Sequence, residues 1–528
     1  MKQQLRNCVL VAVLFLALAL RLKGIHNPLL DHPGWRQGDT AAIARNFATI
    51  DYNPFHPQAD YNGPPPNYVE LELQIVPFLA ATLYKVFGIH EIFGRLISLA
   101  FSLGTVAVLA CFGKRLARES GTPPQFAGLA GTFLFAIYPG STYYGRTFMP
   151  DTTMIFFFTA ALYASTCWVF DFEGAWGKHF WAATSLTALA LLAKPVAIVA
   201  LMPIFTIMCA RWGVPGMLRR SQTYAFFALV LAPLAAYDCY ASSIAEWHWA
   251  SGITRLHVLP SLIAAFHSWD AMHLKLRIYR EVLAMLPGTM LGAWCTALFA
   301  GAVLLVTPLR APAGTLLPAW LAGSLAYAFV VMTYERVDYY FYIILPLAAL
   351  WSGMLLERAA AFATRISIPK AMTCAVTTIA AAALVIVNRG PVHAYYQYNP
   401  AVYRAAKTLD ITLAPDSLAV MGHYDPSILY YINRKGWEED PYIWTPFDEQ
   451  SAIRKGARYY IDIEHGRLKR NVELYAWLQR FPIVNPQAKW PVYETDYAKI
   501  LPGAEERWKA FRVREKENGN AHLKNATL

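Results

Sequence analysis

The sequence predicts a polytopic α-helical membrane protein with about eleven transmembrane helices, followed by a small soluble α/β domain. Charged residues make up only 15% of the 528 residues, whereas a soluble domain has roughly 25%. Aromatic residues contribute 14%, and the mean hydropathy is positive, at +0.31. Residues 391–528 are polar. This composition excludes a large soluble enzyme for residues 1–390.

Eleven apolar runs in residues 1–390 predict the membrane helices. A helix that crosses the membrane needs about 20 apolar residues, and the shorter runs require flanking polar side chains to reach the interface. Arg21 and Lys23 follow the first run without a small-residue cleavage site, which predicts an uncleaved signal anchor. Segment 75–88 is predicted to lie at the outer interface, with a twelfth span as the alternative. The runs are Cys8–Leu20, Leu96–Phe112, Phe126–Tyr138, Met154–Phe170, Phe180–Ala193, Val196–Ala210, Tyr224–Tyr237, Met290–Val306, Leu316–Met332, Tyr340–Leu356 and Ala371–Val387.

Loop charges predict the orientation in a plasma (inner) membrane. Cytoplasmic loops of membrane proteins are rich in Lys and Arg. With a cytoplasmic N-terminus, segments 24–73 and 241–285 and the tail from about 391 fall outside the cytoplasm. The net charge of +11 then reflects inner loops, because the basic residues form no nucleic-acid-binding face. The basic residues on the inner side are Lys114, Arg115, Arg118, Lys178, Arg211, Arg219, Arg220, Arg310, Arg358, Arg365 and Lys370.

The tail, residues 391–528, has a different pattern. Short apolar runs at Ser417–Met421 and Tyr459–Ile463 alternate with helical stretches such as Arg404–Leu409. Strands that alternate with helices predict a small α/β domain. The seven cysteines all lie in or beside apolar segments, so the sequence predicts neither a disulfide framework nor a zinc or redox site.

Ionisable residues concentrate in the predicted outer loops. Charged groups at a membrane boundary are costly, and this makes them candidates for function. Acids in this set would serve as a general base, and Arg or Lys would bind a phosphate. The candidates are Arg36, Asp39, Arg45, Glu70, Glu72, Arg146, Asp151, Lys194, Arg336, Asp338 and Tyr340.

Each of these residues also has a structural alternative. Arg146 and Asp151 would pair only with each other, and Lys194 would be an interfacial lysine that extends towards the membrane surface. Arg336 would be an interfacial anchor beside Tyr340. Glu70 and Glu72 would be solvated. His32 and His56 are interpreted as loop residues rather than metal ligands.

Six segments, in this order, resemble the polyprenyl-phosphate-sugar-dependent glycosyltransferases of the GT-C superfamily. The closest groups are the protein mannosyltransferase-like and aminoarabinose transferase-like membrane enzymes. The resemblance covers roughly residues 1–390. Its segments are GDTAAIARNF, VELELQIVPFLAATLYKVFG, GRLISLAFSL, YPGSTYYGRTFMPD, LLAKP and YERVDYYFYIILP.

The resemblance implies a catalytic outer loop at residues 24–73, with Asp39 as the base, Asp151 as the second candidate and Glu72 as the third. The family usually carries an Asp-Glu pair that starts three positions before the residue matched by Asp39. At those positions this chain has Arg36 and Gln37. Asp39 lies one helical turn further on. The family's Glu-Lys-Pro-Pro element is also missing at positions 72–75, which argues against aminoarabinose transfer to lipid A.

The implied reaction moves a hexosyl or pentosyl group from a polyprenyl-phosphate donor to a lipid, glycan or protein acceptor, with inversion. The residues require no cofactor. They do not determine whether a divalent metal takes part, which sugar and acceptor are used, or the oligomeric state. The substrate-binding residues would be Arg36, Arg45, Glu70, Arg146, Lys194, Arg336 and Tyr340. The alternatives are a ligase or polymerase that uses a diphosphate donor, a transporter, and a relative that has lost activity.

Overall fold

A computed structural model of the chain describes residues 3–119, 128–171, 176–246, 248–306, 312–486 and 488–525. The chain folds into two compact units. We call the first the helical unit; it comprises Met1–Asn27, Tyr52–Phe55 and Glu70–Gln397. We call the second the sheet unit; it comprises Pro28–Asp51, His56–Val69 and Tyr398–Leu528.

The first seventeen helices reach residue 387. All belong to the helical unit except the second, which belongs to the sheet unit. Short 3₁₀ segments at Pro195–Ala200 and Asp338–Ile343 lie next to candidate site residues. The helices are α1 (Gln3–Leu22), α2 (Gly34–Thr49), α3 (Ile75–Phe87), α4 (Ile92–Glu119), α5 (Leu129–Ile137), α6 (Pro139–Tyr144), α7 (Asp151–Phe170), α8 (Lys178–Ala193), α9 (Leu201–Leu218), α10 (Ser221–Ile244), α11 (Trp249–Ile253), α12 (Leu259–Ala265), α13 (Trp269–Leu283), α14 (Ala293–Leu305), α15 (Ala313–Val331), α16 (Ile344–Arg365) and α17 (Lys370–Val387).

Among the described residues, seven helices are long and apolar enough to cross a membrane, or eight if the bent pair Trp269–Met290 and Ala293–Leu305 is one span. The chain therefore has the helices of a multi-pass membrane protein. The seven coincide with predicted runs; the other four runs correspond to the shorter helices α5, α8, α14 and α17. Eleven spans are thus not confirmed. The first residues of the run 126–138, and Arg310, lie outside the described residues. The seven helices are Gln4–Leu22, Ile92–Arg118, Asp151–Phe170, Pro195–Leu218, Ser221–Ile244, Ala313–Val331 and Asp338–Arg365.

Proline and glycine set local features of the helical unit. Pro139 ends α5, because the residue before a proline favours an extended backbone, and Tyr138 adopts ψ 134°. Gly131 of α5 meets Gly353 of α16 so closely that a Cβ on Gly131 would lie 2.5 Å from the Ala349 carbonyl oxygen. Small residues at such crossings let helix backbones approach. The seven cysteines are free thiols.

The sheet unit contains a four-stranded sheet in the order β2-β1-β3-β4. β1 is parallel to β2 and to β3, whereas β4 is antiparallel to β3. Gly63 and Gly436 form a bridge, so the segment around Gly63 covers the outer edge of β2. The elements are α18 (Pro400–Thr412), β1 (Leu418–Met421), α19 (Pro426–Ile432), β2 (Lys435–Glu438), α20 (Pro446–Arg454), β3 (Ala457–Ile461), α21 (His465–Leu468), α22 (Val472–Leu478), β4 (Val492–Glu494) and α23 (Ala504–Asn525).

Part of the predicted outer loop 24–73 is a helix. Residues 34–49 form α2, which packs against α19. The two helices approach closely because Gly38 has no side chain: a Cβ there would lie 2.4 Å from the Cα of Ser427. Residues 28–51 and 56–69 belong to the same compact unit as residues 398–528. The sequence analysis predicts one boundary, between residues 390 and 391, and assigns these two segments to the membrane domain.

Candidate active site

Asp151 and Lys194 form an ion pair in the helical unit. Lys194 Nζ donates to Asp151 Oδ1 at 2.7 Å. Asp151 begins α7, and Lys194 follows α8 in an extended conformation imposed by Pro195. Asp151 is 2% exposed, and its Oδ2 atom is buried without a hydrogen-bond partner among the described residues. Asp151 thus pairs with Lys194 and not with Arg146.

Two tyrosine rings surround the Lys194 ammonium group. Its Nζ lies 4.8 Å from the ring centre of Tyr339 and 5.2 Å from that of Tyr340. Such contacts stabilise a cation, more so where water is excluded. Lys194 is only 8% exposed, so it is not a lysine that extends to the membrane surface. The structure brings Asp151, Lys194 and Tyr340 together from three separate parts of the sequence.

The helical unit contains an apolar cleft of about 520 Å³. Its lining includes Leu192, which precedes Lys194 by two residues in the sequence, together with Phe55, Leu73, Tyr237 and Tyr240. The backbone carbonyl of Glu72 accepts a hydrogen bond from the Tyr237 hydroxyl at 3.3 Å. Glu72 therefore lies beside the wall of the cleft.

Arg146 is completely buried in the helical unit. Its guanidinium donates to the Gly24 carbonyl at 3.0 Å and lies 4.8 Å from the ring centres of both Tyr143 and Tyr396. Lys23 lies over the same Tyr396 ring at 4.3 Å. A crevice of about 50 Å³, lined by Lys23, Tyr396 and the exposed Arg389, is next to this ring. Arg146 thus belongs to a cationic cluster whose other members the sequence analysis did not select.

Glu70 and Asp338 are hydrogen-bonded on both carboxylate oxygens. Glu70 accepts from Ser242 Oγ at 2.8 Å and from the Ser251 hydroxyl at 2.7 Å. Asp338 accepts from Tyr144 at 2.5 Å, Thr289 at 2.5 Å and Tyr395 at 2.6 Å. Both acids are buried. These contacts fix the positions of both carboxylates.

In the sheet unit, Asp39 accepts hydrogen bonds from two side chains. Arg36 donates to Oδ2 at 3.0 Å from one turn earlier on α2, and the Tyr61 hydroxyl donates to Oδ1 at 3.1 Å. Asp39 is 4% exposed. Burial and the Asp39 carboxylate raise the pKa of Tyr61 well above its ordinary value, so the phenol remains a hydrogen-bond donor at neutral pH.

Glu438, at the end of β2, is a candidate site residue that the sequence does not indicate. Its Oε2 atom is buried without a hydrogen-bond partner among the described residues. Burial, and then Asp39 and Asp425, raise the pKa of its carboxyl well above the usual range. Its segment, KGWEED, shows no motif. Only the folded chain brings Glu438 into the electrostatic environment of Asp39.

The two remaining predicted site residues, Arg45 and Arg336, lie in different surroundings. Arg45 forms an ion pair with Asp60 and donates to the Tyr430 carbonyl at 3.0 Å, so it joins α2 to α19. Arg336 is exposed. No group of three or more His, Cys, Asp or Glu side chains in the described part of the chain could hold a metal ion.

Comparisons with solved structures identify the fold. ArnT from Cupriavidus metallidurans in the apo state aligns with a TM-score of 0.58 and 12% identity over 93% of this chain and 98% of that chain. The same protein bound to undecaprenyl phosphate gives a TM-score of 0.55 and 12% identity over 94% and 98%.

The archaeal oligosaccharyltransferase AglB from Archaeoglobus fulgidus, in complex with an inhibitory peptide and a dolichol-phosphate, gives a TM-score of 0.57 and 12% identity over 95% of this chain and 75% of that chain. No family model matches the chain, and the search of curated proteins found no match. The likeness to these membrane proteins extends over both units, and the chain has the GT-C fold that its sequence predicts.

Proposed function

We propose that this protein transfers a sugar from a polyprenyl-phosphate donor to an acceptor outside the cytoplasm. The observation that carries the proposal is the buried Asp151–Lys194 pair, which is two residues along the chain from Leu192 in the lining of an apolar cleft of about 520 Å³. One of the similar structures contains undecaprenyl phosphate and another a dolichol-phosphate. That fold likeness supports a lipid-linked donor for this chain.

The donor would use the two parts of this site differently. The cleft is lined mainly by apolar and aromatic side chains, which suit an isoprenoid chain. Lys194 would hold the phosphate. Its charge would stabilise the negative charge that develops on the phosphate oxygen as the glycosidic bond breaks. Asp151 would orient the ammonium group, and Tyr339 and Tyr340 would exclude water from it.

Asp39 remains our first candidate for the base. The acceptor oxygen would form a bond to the anomeric carbon while the bond between that carbon and the phosphate oxygen breaks. The hydroxyl proton would move to the base, and polyprenyl phosphate would leave with the bonding electrons. Attack from the face opposite the phosphate inverts the anomeric centre. Asp151 and then Glu72 are the second and third candidates for the base.

Transfer of label from a synthetic radiolabelled polyprenyl-phosphate sugar tests the proposal. The purified full-length protein should release polyprenyl phosphate and transfer or hydrolyse the sugar. Lys194→Met should reduce this rate at least a hundredfold, the range for one electrostatic stabiliser of the transition state. The matched control is Lys85→Met, because Lys85 also lies over a tyrosine ring, that of Tyr52 at 4.7 Å, but is exposed. Equal losses in both variants would contradict the role of Lys194.

A diphosphate-linked donor, as a ligase or polymerase would use, is the alternative that the sequence leaves open. The same assay with monophosphate and diphosphate donors carrying the same sugar separates the two. Turnover of the diphosphate donor alone would replace the monophosphate reaction.

We also propose that the N-terminus is cytoplasmic and that residues 391–528 lie outside the cytoplasm of a plasma (inner) membrane. The basic residues that the sequence places between alternate apolar runs support this orientation. A reporter that is active only outside the cytoplasm should give signal when fused at position 400. Signal at position 215 and none at position 400 would reverse the topology.

A further inference from the structure

The carboxyl ends of the three parallel strands in the sheet unit form an edge with an unusual set of side chains. β1 is flanked by β2 on one side and β3 on the other. β1 is followed along the chain by β2, on one side of the sheet, whereas β3 is followed by β4, on the other side. The connections that leave β1 and β3 therefore run in opposite directions. In open α/β sheets, ligands bind in the crevice at such a point. The segments that follow the two strands here are Gly422–Asp425 and Asp462–His465.

A row of four charged or polar side chains spans these segments. His423 Nε2 lies 3.2 Å from Glu464 Oε1, and Glu464 Oε2 lies 3.2 Å from Arg467 Nε. Arg467 also contacts both carboxylate oxygens of Asp440, which follows β2. The Arg467 side chain remains 47% exposed. The four side chains are therefore linked by their own contacts while they present polar groups to solvent.

Two exposed aromatic rings lie beside this row. Tyr424 stacks on His423 with ring centres 4.9 Å apart and an angle of 13° between the planes, and it is 63% exposed. Tyr442 is 58% exposed, and its backbone N–H donates to Asp440 at 2.9 Å. The stack with His423 orients the Tyr424 ring before any ligand arrives.

Two polar atoms beneath the same edge have no hydrogen-bond partner in the part of the chain that the structure describes. The Tyr460 hydroxyl and Asp462 Oδ1 are buried and accept or donate no hydrogen bond among the described residues. Gly422 covers Tyr460: a Cβ at that position would lie 2.8 Å from the hydroxyl oxygen. Buried polar groups in native proteins are nearly always paired, so these two atoms have capacity for a further hydrogen bond.

We propose that this edge, from Tyr424 to Arg467, is a carbohydrate-binding site for a neutral sugar or amino sugar. The apolar C–H face of a sugar ring packs on an aromatic face, and its neighbouring hydroxyls match planar groups that bind through two atoms, such as carboxylate and guanidinium. Asp440 and Glu464 both pair with the Arg467 guanidinium and compensate its charge, which disfavours a phosphate or another polyanion. That the bound sugar belongs to the acceptor rests on the proposed function; the binding itself does not.

Saturation-transfer difference NMR on the full-length protein in nanodiscs tests the inference. The probes are the methyl glycosides of glucose, galactose, mannose, glucosamine and N-acetylglucosamine, with glucuronate and an unglycosylated peptide as competing classes. Wild-type protein should bind at least one neutral or amino sugar. Tyr424→Ala and Glu464→Gln should each weaken that binding at least tenfold. Tyr497→Ala should change it less than twofold, because Tyr497 is an exposed tyrosine that follows β4 at the opposite edge of the sheet.

The outcomes separate this inference from the proposed function. Binding that depends on Tyr424 in a protein that never turns over a lipid-linked donor would support the site and refute the transferase. Donor hydrolysis without binding of any sugar, or binding that survives both substitutions, would overturn the site. Preferential binding of glucuronate or of the peptide would overturn the proposed ligand class. Circular dichroism and size-exclusion profiles that match wild type establish that each variant is folded.

Discussion

Replacement of Lys194 by methionine should destabilise the helical unit markedly, because it leaves a buried carboxylate without its partner. Asp151 is 2% exposed, and one of its two oxygens already has no hydrogen-bond partner among the described residues. Methionine fills most of the space of the lysine stem, so the change removes charge with little loss of packing. The effect then reports the Asp151–Lys194 interaction.

The magnitude follows from the burial of the pair. Removal of one partner of a buried ion pair costs about 3–5 kcal/mol, since the remaining charge stays desolvated. The contacts of the ammonium with Tyr339 and Tyr340 would add about 1–2 kcal/mol. We therefore expect Lys194→Met to lower the free energy of unfolding by about 4–7 kcal/mol. The double variant Asp151→Asn/Lys194→Met should recover most of that loss, because a neutral amide is far less costly to bury.

Equilibrium unfolding in mixed micelles measures both variants, and a double-mutant cycle isolates the pair. The control Lys85→Met should cost less than about 1 kcal/mol, as expected for an exposed cation over a ring. A cycle with a coupling energy near zero would refute the argument, because it would mean that water or another group already compensates the Asp151 charge. The double variant should remain inactive in sugar transfer even where its stability recovers.

Three further predictions concern the sheet unit. Asp39→Asn should reduce sugar transfer by about 10²–10⁴-fold at saturating donor while the protein still folds, because the amide cannot accept a proton; a residual rate above about a tenth of wild type would move the base to another acid. Gly38→Ala should destabilise the sheet unit by about 1–3 kcal/mol, since the new methyl group overlaps Ser427, and limited proteolysis would detect this; Gly466→Ala, where nothing lies within 4 Å, should have no such effect. Burial raises the pKa of the Glu449 carboxyl from its ordinary 4.5 to about 8; the unfolded chain releases this proton earlier, so the free energy of unfolding should fall as the pH rises through that window, by at most about 1.4 kcal/mol per pH unit, and chemical denaturation of Glu449→Gln should show a flatter pH profile.

The sequence by itself determined much of the secondary structure, because these features depend on neighbours along the chain. Seven apolar runs form long helices. An apolar segment in a membrane must satisfy its backbone N–H and C=O groups within itself, and a helix does this. Three helices of the sheet unit begin at Asn-Pro, Asp-Pro or Thr-Pro, where the first side chain caps the backbone and proline preorganises the first turn. The break at Lys194 likewise follows from Pro195.

Only the tertiary structure decided which of these residues meet. Asp151 and Lys194 are 43 residues apart, and their pairing depends on how α7 packs against α8. The sequence treated 24–73 as one outer loop, but Gly38 lets α2 approach α19 and so associates Asp39 with the sheet unit. Glu438 acquires its unusual environment from burial and from Asp39, which lies almost 400 positions earlier. Local patterns cannot encode such contacts, since each depends on the close fit of surfaces that are distant in the sequence.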